Sequence, residues 1–326
     1  MKKEKKPIMP IVLDEGDMDV SVPLRVFFQR YMEDITPRLR QSTVESKQRI
    51  VQEYILPYLG DVPIKDITPQ YIRTWQNKLL SQFDFSNAYF NLIDRHCTSI
   101  FTYAKKFFDI PSPFDKTGHI RLLQNHNMNI WSVEEFQNFL TYFQNDLYLK
   151  TVFEVLYWNG LRIGEALALT PEDVCKNPME LRVCKALSST SMGEIISAPK
   201  TRKANRRISL PEFVYNDLMR LIDKRKIKPK ARIFDSSRSY IREHMVEGYE
   251  AVGLRPIRIH DLRHSHVSLL IQMGYSPVLI AERVGHEKVS TTLNTYAHLF
   301  PSQQGMIASS LERINAIGVT PTVKLI

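Results

Sequence analysis

Residues 257–300 read IRIHDLRHSHVSLLIQMGYSPVLIAERVGHEKVSTTLNTYAHLF, and start and stop signals alone place three helices in them. Asp261 can cap the first, and Gly274 follows its last periodic residue. Ser276 then Pro277 opens the second, because the missing N–H of proline costs nothing in a first turn, and Gly285 closes it. Ser290 can cap the third. Leu262, Leu269, Leu270 and Met273 form an apolar stripe that anchors the first helix in a core. His260 and Arg263 are three apart, so their side chains can project side by side. His286 follows a glycine at a turn, and Tyr296 lies inside the third helix. Two histidines, an arginine and a tyrosine are thus expected on short, capped elements, which hold side chains rigidly.

An arginine fork grips a phosphate and histidines can donate to its remaining oxygens. A tyrosine hydroxyl, with a pKa of about 10, attacks poorly unless nearby cations stabilise the phenolate. These parts suit attack on a phosphodiester. The order His260-x-x-Arg263, Gly285-His286 and Tyr296, with its Tyr-Ala-His ending, resembles the tyrosine recombinases, the phage-integrase family. Taken singly, a histidine is an ordinary surface or core residue, and His264, His266 and His298 are read that way. A metal is the other reading of His260 and His264, four apart on a helix. No Glu or Cys stands at ligand spacing and Arg263 would repel a cation, so no metal is expected.

Two upstream motifs extend the resemblance. Asn159-Gly160-Leu161-Arg162-Ile163-Gly164-Glu165 sets an arginine just after a glycine turn, at a helix head whose positive dipole end favours anions. Glu165 can hold the Arg162 guanidinium in place, and the run resembles the family's first catalytic arginine motif. Residues 181–210 alternate and carry β-branched residues, which predicts strands at Leu181–Lys185, Gly193–Ala198 and Arg206–Leu210. The turn before the last of them, Pro199-Lys200-Thr201-Arg202-Lys203-Ala204-Asn205, is similar to the family hairpin that carries a catalytic lysine, which would make Lys200 the general acid. Arg202, Lys203 and Arg206 beside it are candidate DNA contacts.

Further outward, the 326 residues suggest two domains, each able to bury a core. A formal charge of +9 favours a polyanion, without separating DNA from RNA or acidic lipid. Three cysteines with no C-x-x-C pair suit a reducing cytoplasm. No apolar run of membrane-spanning length and no signal peptide is evident, so no membrane association is expected. Residues 1–20, lysines followed by acids, read as a flexible tail. Twenty residues cannot form the arm-site-binding domain that many integrases carry in front, so the chain either lacks one or is shortened.

Residues 21–110 read as four helices: Val22–Glu33, Thr43–Leu56, one opened by Thr68-Pro69, and one opened by Ser86 that runs to about Phe108. Arg38, Arg40, Lys47, Arg49, Arg73, Lys78, Lys105 and Lys106 would make a basic face on them, and phosphate contacts would carry its affinity. This part resembles, more loosely, the family's core-binding domain. The proline, glycine and asparagine content of 111–129 predicts a linker. A catalytic domain at 130–305 begins with the capping box Ser132–Glu135, and 306–326 form a tail with Met306, Ile307, Leu311 and Ile314 on one helical face.

The expected fold is mainly α with a small antiparallel β-sheet: a four-helix N-terminal domain, then a mixed α/β domain. The family implies a site-specific recombinase that cuts and rejoins DNA through a 3′-phosphotyrosine. Arg162, Lys200, His260, Arg263, His286 and Tyr296 would be catalytic, with His260 also able to accept or shuttle the tyrosine proton and Glu165 supporting. No cofactor is implied, because the phosphotyrosine keeps the bond energy. Double-stranded attachment sites and a homotetramer on paired sites are the implied partners, and accessory DNA-bending or directionality proteins are compatible with them. The competing readings are a type IB topoisomerase, which relaxes DNA with similar chemistry, and a DNA-binding module without catalysis. By the same resemblance, the tail would dock on a neighbouring subunit, with 319–326 adding an edge strand there.

Overall fold

The computed structural model describes residues 21–120, 128–191, 193–198, 203, 205–299 and 304–317. Its contacts divide the chain into two compact units, Met1–His126 with Ser189–Gly193, and Asn127–Ser188 with Glu194–Ile326.

The first unit is helical: α1 (Leu24–Ile35), α2 (Gln41–Tyr54), the single turn α3 (Leu56–Leu59), α4 (Pro69–Gln82), α5 (Asn87–Phe108) and the single turn α6 (Phe114–Thr117). Thr68 caps α4 by accepting from the Tyr71 N–H, and Ser86 caps α5 by accepting from the Tyr89 N–H. Helical spacing then turns Leu24, Phe27 and Tyr31 of α1, Ile72, Trp75 and Leu79 of α4, and Ile93, Cys97 and Ile100 of α5 into one core. The Trp75 indole N–H donates to the Tyr54 carbonyl at 2.8 Å, so its polar atom is satisfied inside.

Two expectations change here. Residues 111–129 were expected as a linker, yet Phe114 and Ile120, beside Ile110, belong to this core. Proline and glycine mark irregular backbone, which need not be exposed, and here they flank the turn that seats Phe114. Residues 121–127 lie outside the described residues. Lys47 is not on a basic surface: Val44, Lys47 and Val51 share one inward face of α2. Its ammonium donates to Tyr31 Oη at 2.9 Å and Ser99 Oγ at 2.7 Å, and such partners are what make a buried cation tolerable.

The chain continues through α7 (Val133–Tyr142), α8 (Leu147–Trp158), α9 (Ile163–Ala166), β1 (Val174–Cys175), β2 (Glu180–Val183), β3 (Ala186–Thr190), β4 (Gly193–Ser197) and β5 (Arg206–Ser209). It ends with α10 (Glu212–Arg225), α11 (Arg238–Ala251), α12 (Ile259–Gln272), α13 (Pro277–Val284), α14 (Val289–Tyr296) and α15 (Gln304–Ile317). The strands β1, β2 and β5 form an antiparallel sheet in that order, with Leu181 opposite Ile208 and Val183 opposite Arg206. β3 and β4 make a separate two-stranded sheet. The sequence expects three strands; β1 and β3 are the partners that β2 and β4 need for their backbone groups. No described helix is long and apolar enough to cross a membrane.

The capping box of α7 forms as expected: Ser132 Oγ accepts from the Glu135 N–H while Glu135 accepts from the Ser132 N–H. α8 is buried along most of its length and packs against α10 and α12. α12 begins at Ile259, so Asp261 does not cap it. Asp261 sits in the first turn and accepts from the Arg258 backbone N–H at 2.8 Å and from its guanidinium. α14 begins at Val289, which puts Ser290 inside the helix, not ahead of it. Ser276, Pro277 and Gly285 bound α13 as expected, with Ser276 Oγ accepting from the Leu279 N–H. The expected apolar stripe on α12 is only part of its buried surface. Leu262, Val267 and Ile271 lie inside with Arg263, Ser265, His266 and Ser268, while Met273 is 60 % exposed. With α8 and α13 both packed against it, α12 has little surface left for water, so polar residues are drawn in as well.

Candidate active site

α8 ends at Trp158, and the chain turns through Gly160 at φ 61° before α9. A Cβ at 160 would meet the His266 ring at 2.6 Å, so both backbone and space require glycine. The turn does two things. It exposes the Gly160 carbonyl to Arg263 Nη1, which donates to it at 2.7 Å. It also sets Arg162 at the head of α9, where Glu165 accepts from the Arg162 backbone N–H at 3.0 Å and from Nη1 at 2.8 Å. Arg263 Nη2 donates to the Val284 carbonyl at 2.5 Å, at the end of α13. Two carbonyls from separate elements thus fix a guanidinium that is 2 % exposed.

Glu165 has a second cation, Arg206, whose Nη1 and Nη2 donate to it at 3.3 and 3.1 Å. Arg206 Nε donates to the Arg283 carbonyl at 2.8 Å. Arg206 was expected to contact DNA, but on β5 it faces inward with Ile208, while Arg207 and Ser209 face out. The period of two along a strand decides this, and Arg206 becomes a brace between Glu165 and α13. Gly285, at φ 71°, lies against it: a Cβ there would come within 2.9 Å of Arg206 Nη1.

His286 follows that glycine, and its Nδ1 is hydrogen-bonded to Thr292 Oγ1 at 2.8 Å. Tyr296 ends α14 at 2 % exposure, its ring packed with Val267, Ile271, Ile280 and Val284. Its hydroxyl is hydrogen-bonded to Nδ1 of His264, one turn before Val267 on the same face of α12. In the sequence alone His264 reads as an ordinary histidine. The signal that singles it out is the stripe 260, 264, 267 and 271, which places two imidazoles in line with the residues that hold the tyrosine ring. The rings of His260 and His264 meet edge to face, 4.9 Å between centroids.

Desolvation is the largest influence on each ionisable group of the site, and neighbouring charges come next. Arg263 is pushed down to about 9, which leaves it charged at neutral pH. Desolvation, His264, Arg263 and Arg162 lower His260 to about 4; desolvation, Arg263 and Arg162 bring His286 to about 4. Both rings are therefore neutral near pH 7. His264 is also lowered, by desolvation first, against the pull of Asp261. Burial raises the Glu165 carboxyl, but Arg206 and Arg162 outweigh it and leave the group below its ordinary value. Burial pushes the Tyr296 phenol up, with Arg263 opposing.

Arg162, His260, Arg263, His286 and Tyr296 therefore gather in one site, with Arg162 and Arg263 both acting on each histidine of the set. Lys200 and Arg202 lie outside the described residues, as does the His298 side chain, and Lys203 is exposed. Of the cations expected on the helical face, Arg40, Arg49, Lys78 and Lys106 are exposed. Arg38 pairs with Asp34 at 2.9 Å, Arg73 donates to the Thr117 carbonyl at 2.6 Å, and Lys105 pairs with Asp115 at 2.6 Å.

Residues 24–80 match the family model of the phage integrase N-terminal SAM-like domain, and residues 128–303 match that of the phage integrase family. The chain is 28 % identical over 296 residues to the ICEBs1 integrase of Bacillus subtilis, covering 82 % of this chain and 77 % of that protein. It is 32 % identical over 162 residues to a tyrosine recombinase of Thermosipho africanus, covering 48 % of this chain and 51 % of that one. The fold is similar to that of the Tn1549 transposon integrase in complex with transposon right end DNA. The TM-score is 0.74 at 22 % identity, over 89 % of this chain and 99 % of that one. A lambda integrase tetramer bound to a Holliday junction is similar at a TM-score of 0.61 and 18 % identity, over 84 % of this chain and 78 % of that one.

Proposed function

Because this chain belongs to the phage integrase family, and is a site-specific tyrosine recombinase of integrase type, we propose roles for its residues in cutting and rejoining DNA. Arg162 and Arg263 hold the non-bridging oxygens of the scissile phosphate. Arg263 commits one donor each to Gly160 and Val284, and its remaining N–H groups are left for the phosphate. His260 and His286, neutral near pH 7, complete the cage as hydrogen-bond donors. Tyr296 attacks phosphorus and forms a 3′-phosphotyrosine, and the 5′ oxygen leaves. The observation that carries this reading is the meeting of the Tyr296 hydroxyl with a histidine beside a guanidinium fixed by two carbonyls. The tyrosine is buried, so engagement of DNA must bring its hydroxyl and the phosphate together.

The test is covalent capture. Nicked suicide duplexes of random sequence, offered to the full chain, should yield denaturation-resistant protein–DNA adducts on a defined sequence. A pool that yields no adduct under any salt condition would sink the assignment.

Lys200 takes the role of general acid to the leaving 5′ oxygen. A general acid matters only while the leaving group needs a proton. Lys200→Ala is expected to fail on ordinary DNA and to cleave a duplex with sulfur at the bridging 5′ position at near the wild-type rate. Arg263→Ala should fail on both. Equal failure of Lys200→Ala on the two substrates would move Lys200 to a binding role.

The helical unit supplies phosphate contacts from Arg40, Arg49 and their neighbours, and two copies on each of two paired sites make a homotetramer, in the cytoplasm where the DNA is. The tail reaches a neighbouring copy. Leu311 and Ile314 on α15 are 61 % and 38 % exposed, which leaves them open to a partner; the Met306 and Ile307 side chains and residues 318–326 lie outside the described residues. A chain ending at Gln304 is expected to bind a single site and lose cooperative assembly on paired sites. Undiminished cooperativity in gel-shift titrations would exclude docking in trans.

A further inference from the structure

We propose that His264 is a catalytic residue, the base that takes the proton from the Tyr296 hydroxyl; this rests on the recombinase reading above. Neither of the other site histidines is placed for that step. His286 has its Nδ1 on Thr292 Oγ1 at 2.8 Å, and His260 stands with its ring 4.9 Å, centroid to centroid, from His264. His264 Nδ1 is hydrogen-bonded to the reacting oxygen itself, and its ring lies 5.6 Å from the tyrosine ring.

The tautomer with its proton on Nε2 makes Nδ1 the acceptor of the phenol O–H. As the Oη–P bond forms, the Oη–H pair stays on oxygen and the proton moves to Nδ1. The P–O5′ bond then breaks, and the leaving oxygen takes a proton from the general acid. On rejoining, the 5′ hydroxyl attacks phosphorus and gives its proton back to the general acid, the Oη–P bond breaks, and His264 returns its proton to the Tyr296 oxygen. Nothing besides the two histidine states, the acid and DNA enters the balance. The groups facing His264 favour this order. Desolvation, then the charges of Arg258 and Arg263, hold the His264 ring below its ordinary value, while Asp261, one turn back on α12, favours the imidazolium. Burial opposes spontaneous ionisation of the phenol, so a base in contact with it has an effect that bulk hydroxide would not supply near neutral pH.

The experiment uses the full chain and a suicide duplex selected from a random pool by covalent capture on the wild-type protein. His264→Asn keeps an acceptor without a base, and His264→Ala leaves room for free imidazole while retaining a good helix former. Both variants should bind the duplex as the wild type does. Adduct formation near pH 7 should fall by about 100-fold or more, the scale of a lost general base. The deficit should narrow as pH rises toward the phenol's own range, and tens of millimolar imidazole should restore His264→Ala but not His264→Asn. Adducts at or above the wild-type rate in either variant would make His264 a bystander or a latch on Tyr296. A loss that neither pH nor imidazole relieves would leave it a packing partner only. If the wild type captures no duplex at all, the recombinase reading fails and the proposal with it.

Discussion

Tyr296→Phe is expected to abolish covalent protein–DNA adducts while the protein folds and binds DNA. The phenol ring is what packs with Val267, Ile271, Ile280 and Val284, and phenylalanine keeps all of it. The hydroxyl contributes one hydrogen bond, to His264, whose loss in a buried setting costs about 1 kcal/mol. Its chemical effect is total, because phenylalanine has no oxygen with which to attack phosphorus. Thermal melts within a few degrees of the wild type, gel-shift affinity unchanged and no adduct on denaturing gels are the expected set. An adduct that survives denaturation in this variant would place the nucleophile elsewhere.

Arg263→Lys is expected to lose about 10²–10³-fold in cleavage, the scale seen when one preorganised donor to a developing anion is removed. Lysine keeps a positive charge but has no planar fork. The guanidinium bonds Gly160 and Val284 on opposite sides and must still present N–H groups to a phosphate, and a single ammonium cannot reach all three. One of the carbonyls is left unpaired in a site with almost no solvent, which costs about 1–3 kcal/mol of stability. Binding of a long duplex should change little, since its affinity is spread over many phosphates. Single-turnover cleavage within a few-fold of the wild-type rate would remove Arg263 from the phosphate cage. A variant that melts as the wild type does would remove it from its bracing role between the Gly160 turn and α13.

Much of this was legible in the chain itself. Capping at Thr68, Ser86, Ser132 and Ser276 depends on a side-chain oxygen a few atoms from its own backbone, a local fact that the sequence carries whole. The order of Arg162, His260, Arg263, His286 and Tyr296, on short elements with their own start and stop signals, likewise marks a site in the sequence. Three-dimensional packing decided the rest. Arg206 is a brace to Glu165 because strand pairing fixes which face of β5 is inside, and a turn rich in cations conceals that choice. Lys47 is internal because Tyr31 and Ser99, from two other helices, supply its partners. Phe114 and Ile120 leave the expected linker for a core that joins residues of α1, α2, α4 and α5. His264 meets Tyr296 across 32 residues only because α13 folds α14 back onto α12. Local signals set where each element begins and ends; which side chains touch is a property of faces, and faces are chosen when the elements bury one another.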